Sequence, residues 1–215
     1  MIEIVIIPVL ADNYLFLLHS AGATAVVDPA VDDVVLDAIS SRGWTLTHIL
    51  NTHHHWDHTG ANLSLKEKTG CTIIGPKDEL DAIPGIDRAV GGGETVTVGG
   101  VVASIIDVPG HTKGHIAYHF AADRALFCGD ALFAMGCGRL FEGTAAQMYS
   151  SLQRLMALPD ETHVYCAHEY TQSNGEFALS LEPNNVILQK RMDNVVTLRE
   201  RGKPTIPSTI GIEKA

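Results

Sequence analysis

Apolar residues come along this chain in short bursts, and the spacing inside each burst separates strands from helices. Ile2 to Ile7, Tyr14 to Leu18 and Ala23 to Val27 are short apolar runs bounded by polar or turn-forming residues, which predicts strands. The last two are joined through Ser20-Ala21-Gly22. From Val31 to Ser41 the period changes, with Val34, Leu36 and Ile39 at helical spacing and Gly43 as the stop. Leu46 to Leu50 reads as another strand, and Thr59 to Lys68 as a helix that ends at Gly70. Pro84-Gly85 and Gly91-Gly92-Gly93 mark irregular structure before a run of hairpin strands from Thr95 to Phe127. A helix from Thr144 to Leu158 carries Met148, Leu152 and Leu155 on one face, with Thr144 as its N-cap. After His168 the chain reads as helical, with breaks at Pro183 and Gly202. No linker, repeat or low-complexity tract interrupts it. This order suits an α/β fold of two packed sheets with helices on both outer faces.

Composition narrows the setting. At 215 residues the chain can enclose one substantial core, or one core and a small appendage. Its 46% hydrophobic and 19% charged residues are those of an ordinary globular protein. A formal net charge of −10 argues against nucleic acid or an anionic membrane as partner, and an anionic substrate would need a local cation. The apolar start has no Lys or Arg before Arg42 and is interrupted by Glu3, so it reads as a strand and not as a secretory signal. No stretch has the length of a membrane span. Cys71, Cys128, Cys137 and Cys166 include no close pair, which predicts reduced thiols in a cytoplasmic protein. The chain is expected to act as a monomer.

The chemistry lies at the ends of the predicted strands. After Leu46 to Leu50 comes Asn51-Thr52-His53-His54-His55-Trp56-Asp57-His58, a His-x-His-x-Asp-His pattern with four potential metal ligands in six residues. Four such groups crowd one ion but serve two side by side, with His53 and His55 on one and Asp57 and His58 on the other. Three further apolar runs end in candidate ligands: His111 in Pro109-Gly110-His111, Asp130 in Cys128-Gly129-Asp130 and His168 in Cys166-Ala167-His168. A binuclear centre then has His53, His55 and His111 on one metal. Asp57, His58 and His168 hold the second, and Asp130 bridges with one oxygen to each. Imidazole and carboxylate donors suit zinc first, with iron or manganese also accepted. A water shared by two divalent ions about 3.5–4 Å apart becomes a hydroxide nucleophile near neutral pH, and one metal polarises the substrate carbonyl. Asp57 and Asp130 are the acceptors that would orient it. No Gly-x-Ser-x-Gly elbow competes. His54 should point away from its neighbours and serve structure. His115 is open between the site and a strand position, and His19, His48, His119 and His163 carry no pattern. Cys128 should face away from Asp130, and the glycines beside Cys137 point to backbone geometry rather than thiol chemistry.

These motifs together resemble the metallo-β-lactamase superfamily and, within it, the glyoxalase II or hydroxyacylglutathione hydrolase family. The resemblance runs nearly end to end. It is carried by Asp12-Asn13-Tyr14, Val27-Asp28-Pro29, Thr52 to His58, His111 to His115 and Gly129-Asp130-Ala131-Leu132-Phe133. Gly136-Cys137-Gly138-Arg139-Leu140-Phe141-Glu142-Gly143-Thr144 and His168-Glu169-Tyr170-Thr171 narrow it to the family. It implies an αββα sandwich, with residues 1–168 as the catalytic domain and 169–215 as a short helical substrate-binding portion. It also implies hydrolysis of S-D-lactoylglutathione, a 2-hydroxyacylglutathione thioester, to D-lactate and glutathione. Arg139 would hold a glutathione carboxylate through its two-pronged guanidinium, and Tyr170 would contact the peptide. Phe141 would form an aromatic wall where some members have tyrosine. Asp28 would orient a metal-bound histidine through its other ring nitrogen. Full-length relatives continue past the position of Ala215 with basic residues that also grip glutathione. The alternatives are a persulfide dioxygenase with one iron on two histidines and a carboxylate, or another hydrolase of this fold with a looser substrate range. A β-lactamase often has cysteine in place of Asp130, and a ribonuclease would need a basic surface.

Overall fold

The computed structural model describes residues 1–215. Two six-stranded sheets form its centre. In the first, β1 (Glu3–Val9), β2 (Asn13–Ser20) and β3 (Ala23–Val27) pair antiparallel. Next to β3 lie β4 (Leu46–Leu50), β5 (Thr72–Pro76) and β6 (Arg88–Val90), all parallel. The second sheet begins with the meander β7 (Thr95–Val98), β8 (Val101–Asp107), β9 (Ile116–Phe120) and β10 (Ala125–Gly129). A two-stranded ribbon, β11 (Leu132–Phe133) and β12 (Gly136–Cys137), leaves β10. The sheet is completed by β13 (His163–Cys166), parallel to β10, and β14 (Ser208–Thr209) on its edge.

Strand β2 shows why two layers form. Its period-2 alternation sends Tyr14, Phe16 and Leu18 into the core between the sheets, while Leu15 and Leu17 enter a second core under the helices. That second core is closed by α1 (Asp33–Arg42) and α3 (Asn62–Thr69), through Val35, Ile39 and Leu65. The other outer face carries α4 (Ala145–Met156), whose Leu155 is fully buried as part of the larger core cluster. Thr144 and Gln147 cap α4 reciprocally, each side chain meeting the other's backbone. The helices α5 (Thr171–Leu181), α6 (Val186–Glu200) and α7 (Ile210–Lys214) complete the chain, so the architecture is the αββα sandwich with a C-terminal helical segment. No helix is long and apolar enough to cross a membrane.

Two local features differ from the pattern reading. The helix expected from Thr59 to Lys68 is divided into α2 (Trp56–Thr59) and α3. The divide falls where the Ala61 amide leaves the helix to donate to the Pro29 carbonyl at 3.0 Å, tying the segment to the turn after β3. Strands β5 and β6 complete the parallel half of the first sheet; β5 has no counterpart in the pattern reading, and β6 lies between Pro84-Gly85 and Gly91-Gly92-Gly93, which mark irregular structure.

Candidate metal centre

The ends of β3, β4, β10 and β13 and the loop between β8 and β9 meet at one edge of the sandwich. The carboxyl ends of strands are where α/β folds assemble their sites. His53, His55, Asp57 and His58 follow β4, Asp130 follows β10, His168 follows β13, and His111 lies in the β8–β9 loop. All seven side chains converge. His53 Nε2 and His111 Nε2 each stand 3.0 Å from His55 Nδ1. Around the second point, Asp57 Oδ2 lies 3.5 Å from both His58 Nε2 and His168 Nε2. Asp130 divides its oxygens between the two groups. Oδ1 is 3.6 Å from His58 Nε2 and 3.4 Å from His168 Nε2, while Oδ2 is 3.3 Å from His111 Nε2.

The protons on these rings are fixed from outside. The Thr52 hydroxyl donates to Asp28 Oδ2 at 2.7 Å, so its oxygen is left to accept from His53 Nδ1 at 3.1 Å. His58 Nδ1 donates to Asp28 Oδ2 (3.1 Å), His111 Nδ1 to the Arg139 carbonyl (2.8 Å), and His168 Nδ1 to Asp12 Oδ1 (2.8 Å). Each of these rings therefore turns Nε2 inward as the free electron-pair donor, the arrangement that orients metal-bound histidines. Asn13 Nδ2 donates to Asp57 Oδ2 at 3.0 Å and holds that carboxylate in place.

A metal fits this donor set. Ligands about 2.0–2.1 Å from a tetrahedral zinc ion stand roughly 3.3 Å apart, close to the spacings seen in both groups. His58 Nε2 and Asp130 Oδ1 are buried with no hydrogen-bond partner, a costly arrangement unless a cation sits between such atoms. The proton affinities point the same way. Burial pushes the His53, His55 and His111 imidazoles down, with neighbouring imidazoles adding to the effect at His53 and His55. Burial would lower His58 too, but Asp130 and Asp28 outweigh it and hold the ring well above its usual value. His168 is raised in the same way by Asp130 and Asp12 against burial. Burial alone would raise the Asp130 carboxyl, yet His58, His168 and His111 bring it down to about 2. Asp57 is likewise held ionised by His58 and Asn13 against its own burial. The pocket thus draws positive charge from protons in the ion-free chain, charge that metal ions can supply instead. With these clusters on this fold, the chain carries a metal site.

A cleft of about 570 Å³ opens over these ligands. Arg139, Phe141 and Tyr170 all line it, with Phe133, Ser173 and Asn174. Tyr170 stacks flat on the His168 ring at 4.8 Å, and the Phe141 ring meets His111 edge-on at 5.2 Å. Gly138 lets the Arg139 loop lie this close, because a Cβ there would meet the Asp130 carbonyl oxygen at 1.9 Å. Cys137 is exposed at the rim. Cys128 is buried away from the ligands, its thiol directed to the Leu132 carbonyl.

Several supporting residues carried no role in the sequence reading. Asp12 and Asn13 stood in a recognised motif, but their partners His168 and Asp57 lie 156 and 44 positions away. His115 does belong to the site without reaching the cleft. Its Nδ1 donates to the Ile116 carbonyl, its Nε2 accepts from the Asp130 amide at 3.1 Å, and its ring stacks on His53 at 4.6 Å. Burial holds its pKa down to about 3, so it remains the neutral acceptor that this amide requires.

The comparisons with known proteins agree with this geometry. The metallo-beta-lactamase superfamily model matches residues 9–168, and the hydroxyacylglutathione hydrolase C-terminus model matches residues 169–215. A hydroxyacylglutathione hydrolase of Methylococcus capsulatus is 57% identical over 100% of this chain and 85% of its own length. One from Rhodospirillum rubrum is 54% identical over 96% of this chain and 82% of its own. Among solved structures, ETHE1 from Myxococcus xanthus superimposes with a TM-score of 0.70 at 33% identity, covering 79% of this chain and 76% of that one. TTHA1623, crystallised in a di-iron-bound form, gives a TM-score of 0.67 at 26% identity, covering 77% of this chain and 91% of that one. Motif, fold and near full-length similarity converge, and the chain belongs to the hydroxyacylglutathione hydrolase family of the metallo-beta-lactamase superfamily.

Proposed function

We propose that this chain hydrolyses the thioester of S-2-hydroxyacylglutathiones, with S-D-lactoylglutathione as the expected case, to a 2-hydroxy acid and glutathione. The observation that carries the reading is Asp130, whose two oxygens face two separate ligand groups on the floor of a cleft with an arginine in its wall. His53, His55 and His111 would hold one divalent ion and Asp57, His58 and His168 the other, with Asp130 shared. The donor set favours zinc and admits iron or manganese. When bound, such a pair lowers the pKa of a shared water and polarises a carbonyl oxygen.

The chain's own residues supply the rest. Asp57 Oδ2, held by Asn13, and Asp130 are ionised acceptors on the cleft floor, placed to receive and orient the proton of the attacking water. Arg139 is the local cation that an anionic peptide thioester needs on a protein of net charge −10, and its fork suits a carboxylate. Phe141 and Tyr170 wall the cleft. Cys137 stands exposed at the cleft rim, and the nucleophile in this scheme is water. A thiolate is a good leaving group, so expulsion of glutathione asks little of a general acid. Residues 1–168 would form the catalytic unit and 169–215 the substrate-binding portion, since Tyr170, Ser173 and Asn174 reach the cleft from the latter. The chain would act as a monomer in this scheme.

The test is hydrolysis of S-D-lactoylglutathione by the purified protein, followed at the thioester absorbance, with metal content measured on the same sample. Turnover with close to two metals per chain is expected. Two metals without turnover would overturn the substrate assignment, and a single iron without hydrolysis would overturn the hydrolase.

A further inference from the structure

Behind the histidine loop lies a carboxylate that no metal-ligand spacing in the sequence singles out. Glu79, in the short turn after β5, is buried, with its side chain only 4% exposed. Its Oε2 accepts from His54 Nδ1 at 2.8 Å, and its Oε1 accepts from the Gly114 amide at 2.9 Å and from the Thr112 hydroxyl. All three donors come from the two loops that carry His53, His55 and His111. His54 is the residue between two ligands, so anchoring its ring outward sets the backbone that aims His53 and His55 inward. Thr112 and Gly114 follow His111 directly and belong to its loop. A Cβ on Gly114 would lie 2.6 Å from Glu79 Cγ, so the loop is shaped for close approach to this side chain. Glu142 repeats the link at the surface, with Oε2 accepting from the Lys113 amide at 2.9 Å and Oε1 lying 3.6 Å from His54 Nε2.

His54, Glu79 and Glu142 could be read as a third metal cluster. The hydrogen bonds argue otherwise, because both Glu79 oxygens already face N–H or O–H donors, where an ion would need free electron pairs. The Asp57, His58 and His168 group has no tie to Glu79. It is held by Asn13, Asp28 and Asp12.

We propose that Glu79 is a positioning residue for the three-histidine group, a buried clip that holds the His53–His55 limb against the His111 loop at metal-binding distance. The inference rests on the two-ion reading above. It predicts selective weakening: loss of the clip loosens the ion on His53, His55 and His111 and leaves the ion on Asp57, His58 and His168 in place. Glu79→Gln is informative because an amide keeps the shape but cannot accept at both ends.

The experiment is competition for zinc between a chromophoric chelator and the zinc-loaded full-length protein, in wild type, Glu79→Gln, His54→Phe and Asp12→Asn. His54→Phe removes the same link from the opposite side and decides the matter if Glu79→Gln does not fold. One of two zinc equivalents should be released at roughly tenfold lower chelator strength in Glu79→Gln and His54→Phe, the low end of what supporting contacts of metal ligands are worth. Asp12→Asn, whose side-chain hydrogen bond is to His168, should loosen the other equivalent, and its combination with Glu79→Gln should loosen both. Excess zinc should restore kcat to Glu79→Gln with KM unchanged. Wild type holding two equivalents while the clip variants release both ions together, or neither earlier than wild type, would overturn the role of Glu79. Wild type that never binds two equivalents would instead overturn the two-ion reading.

Discussion

The two ligand groups on either side of Asp130 use the same kinds of side chain but stand on different supports. His53 and His111 donate their outer N–H to neutral acceptors, the Thr52 hydroxyl and the Arg139 carbonyl. His58 and His168 donate theirs to carboxylates, Asp28 and Asp12. Burial lowers the basicity of the first pair, while Asp130 first, and then Asp28 and Asp12, overcome burial and raise the second. A ring backed by a carboxylate is the stronger electron-pair donor, so under the proposed two-ion reading the second group would bind through charge and the first through geometry. This difference explains why the first group has a clip such as Glu79 behind it: neutral ligands gain little from misplaced proximity and need accurate aim.

The largest break in the comparison comes from the residue common to both groups. Asp130→Ala should remove the bridge, weaken both ions and lower kcat by at least about a thousandfold, since metal-borne charge stabilisation amounts to several kcal/mol. Circular dichroism should show the fold retained, and steady-state kinetics on metal-restored protein checks the loss.

Breaking one support at a time should sharpen the contrast. Asp28→Asn and Asp12→Asn each leave a ring without its carboxylate, and zinc affinity at the second group should fall on the order of 10–100-fold. Calorimetric zinc titration of the stripped proteins reads this directly. Asp28→Asn should also disturb Thr52, whose amide donates to Asp28 Oδ1 at 2.8 Å, so its effect should spread to His53 while that of Asp12→Asn does not.

Acidity should separate the groups in chelator-stripped protein. His53, His55, His111 and His115 have folded pKa values below the unfolded value near 6.5. The unfolded chain takes up their protons first, so their stability contribution is present above about pH 6.5 and is lost as pH falls, for His115 down to about 3. His58 and His168, with raised values, contribute below about pH 6.5 and lose that contribution as pH rises through their folded pKa. Urea midpoints of the stripped protein measured across pH 4–8 should fall on the acid side, and His115→Gln should flatten that limb.

An ion pair far from the cleft sets the smallest scale. Lys68 and Ser64 hold the Asp32 carboxyl down to about 2, so its contribution is present above about pH 4 and is lost as pH falls from there through about 2. The pair is largely exposed, and Asp32→Asn should cost below about 1 kcal/mol in urea denaturation at neutral pH, with no effect on metal affinity.

Much of this molecule was legible in the chain before folding. Strands β3 and β4 occupy the predicted residues because an apolar run of that length has few other ways to be buried. The Thr144 cap and the Gly43 stop are local signals and stand where expected. The seven candidate ligands could be named because each closes a strand or sits in a compact motif. Other features depended on distant partners. Helix α2 ends early because Ala61 finds Pro29, and no periodicity records that contact. His115 left two readings open from sequence alone, and its tie to the Asp130 amide selects the supporting role. Glu79 sits among charged turn residues and looks like one more solvated acid until its three donors are seen.

The amino-acid sequence by itself determined the family, the two-layer architecture and the inventory of donors, because those rest on local runs and close spacings that survive without coordinates. Only the tertiary structure decided which oxygen of Asp130 faces which histidines, which ring nitrogen of each histidine keeps its proton, and which buried acid aims which loop. Those properties belong to pairs of groups tens to more than a hundred positions apart. Hydrogen bonds and charge interactions act over a few ångströms of space, and separation along the chain carries almost no information about them.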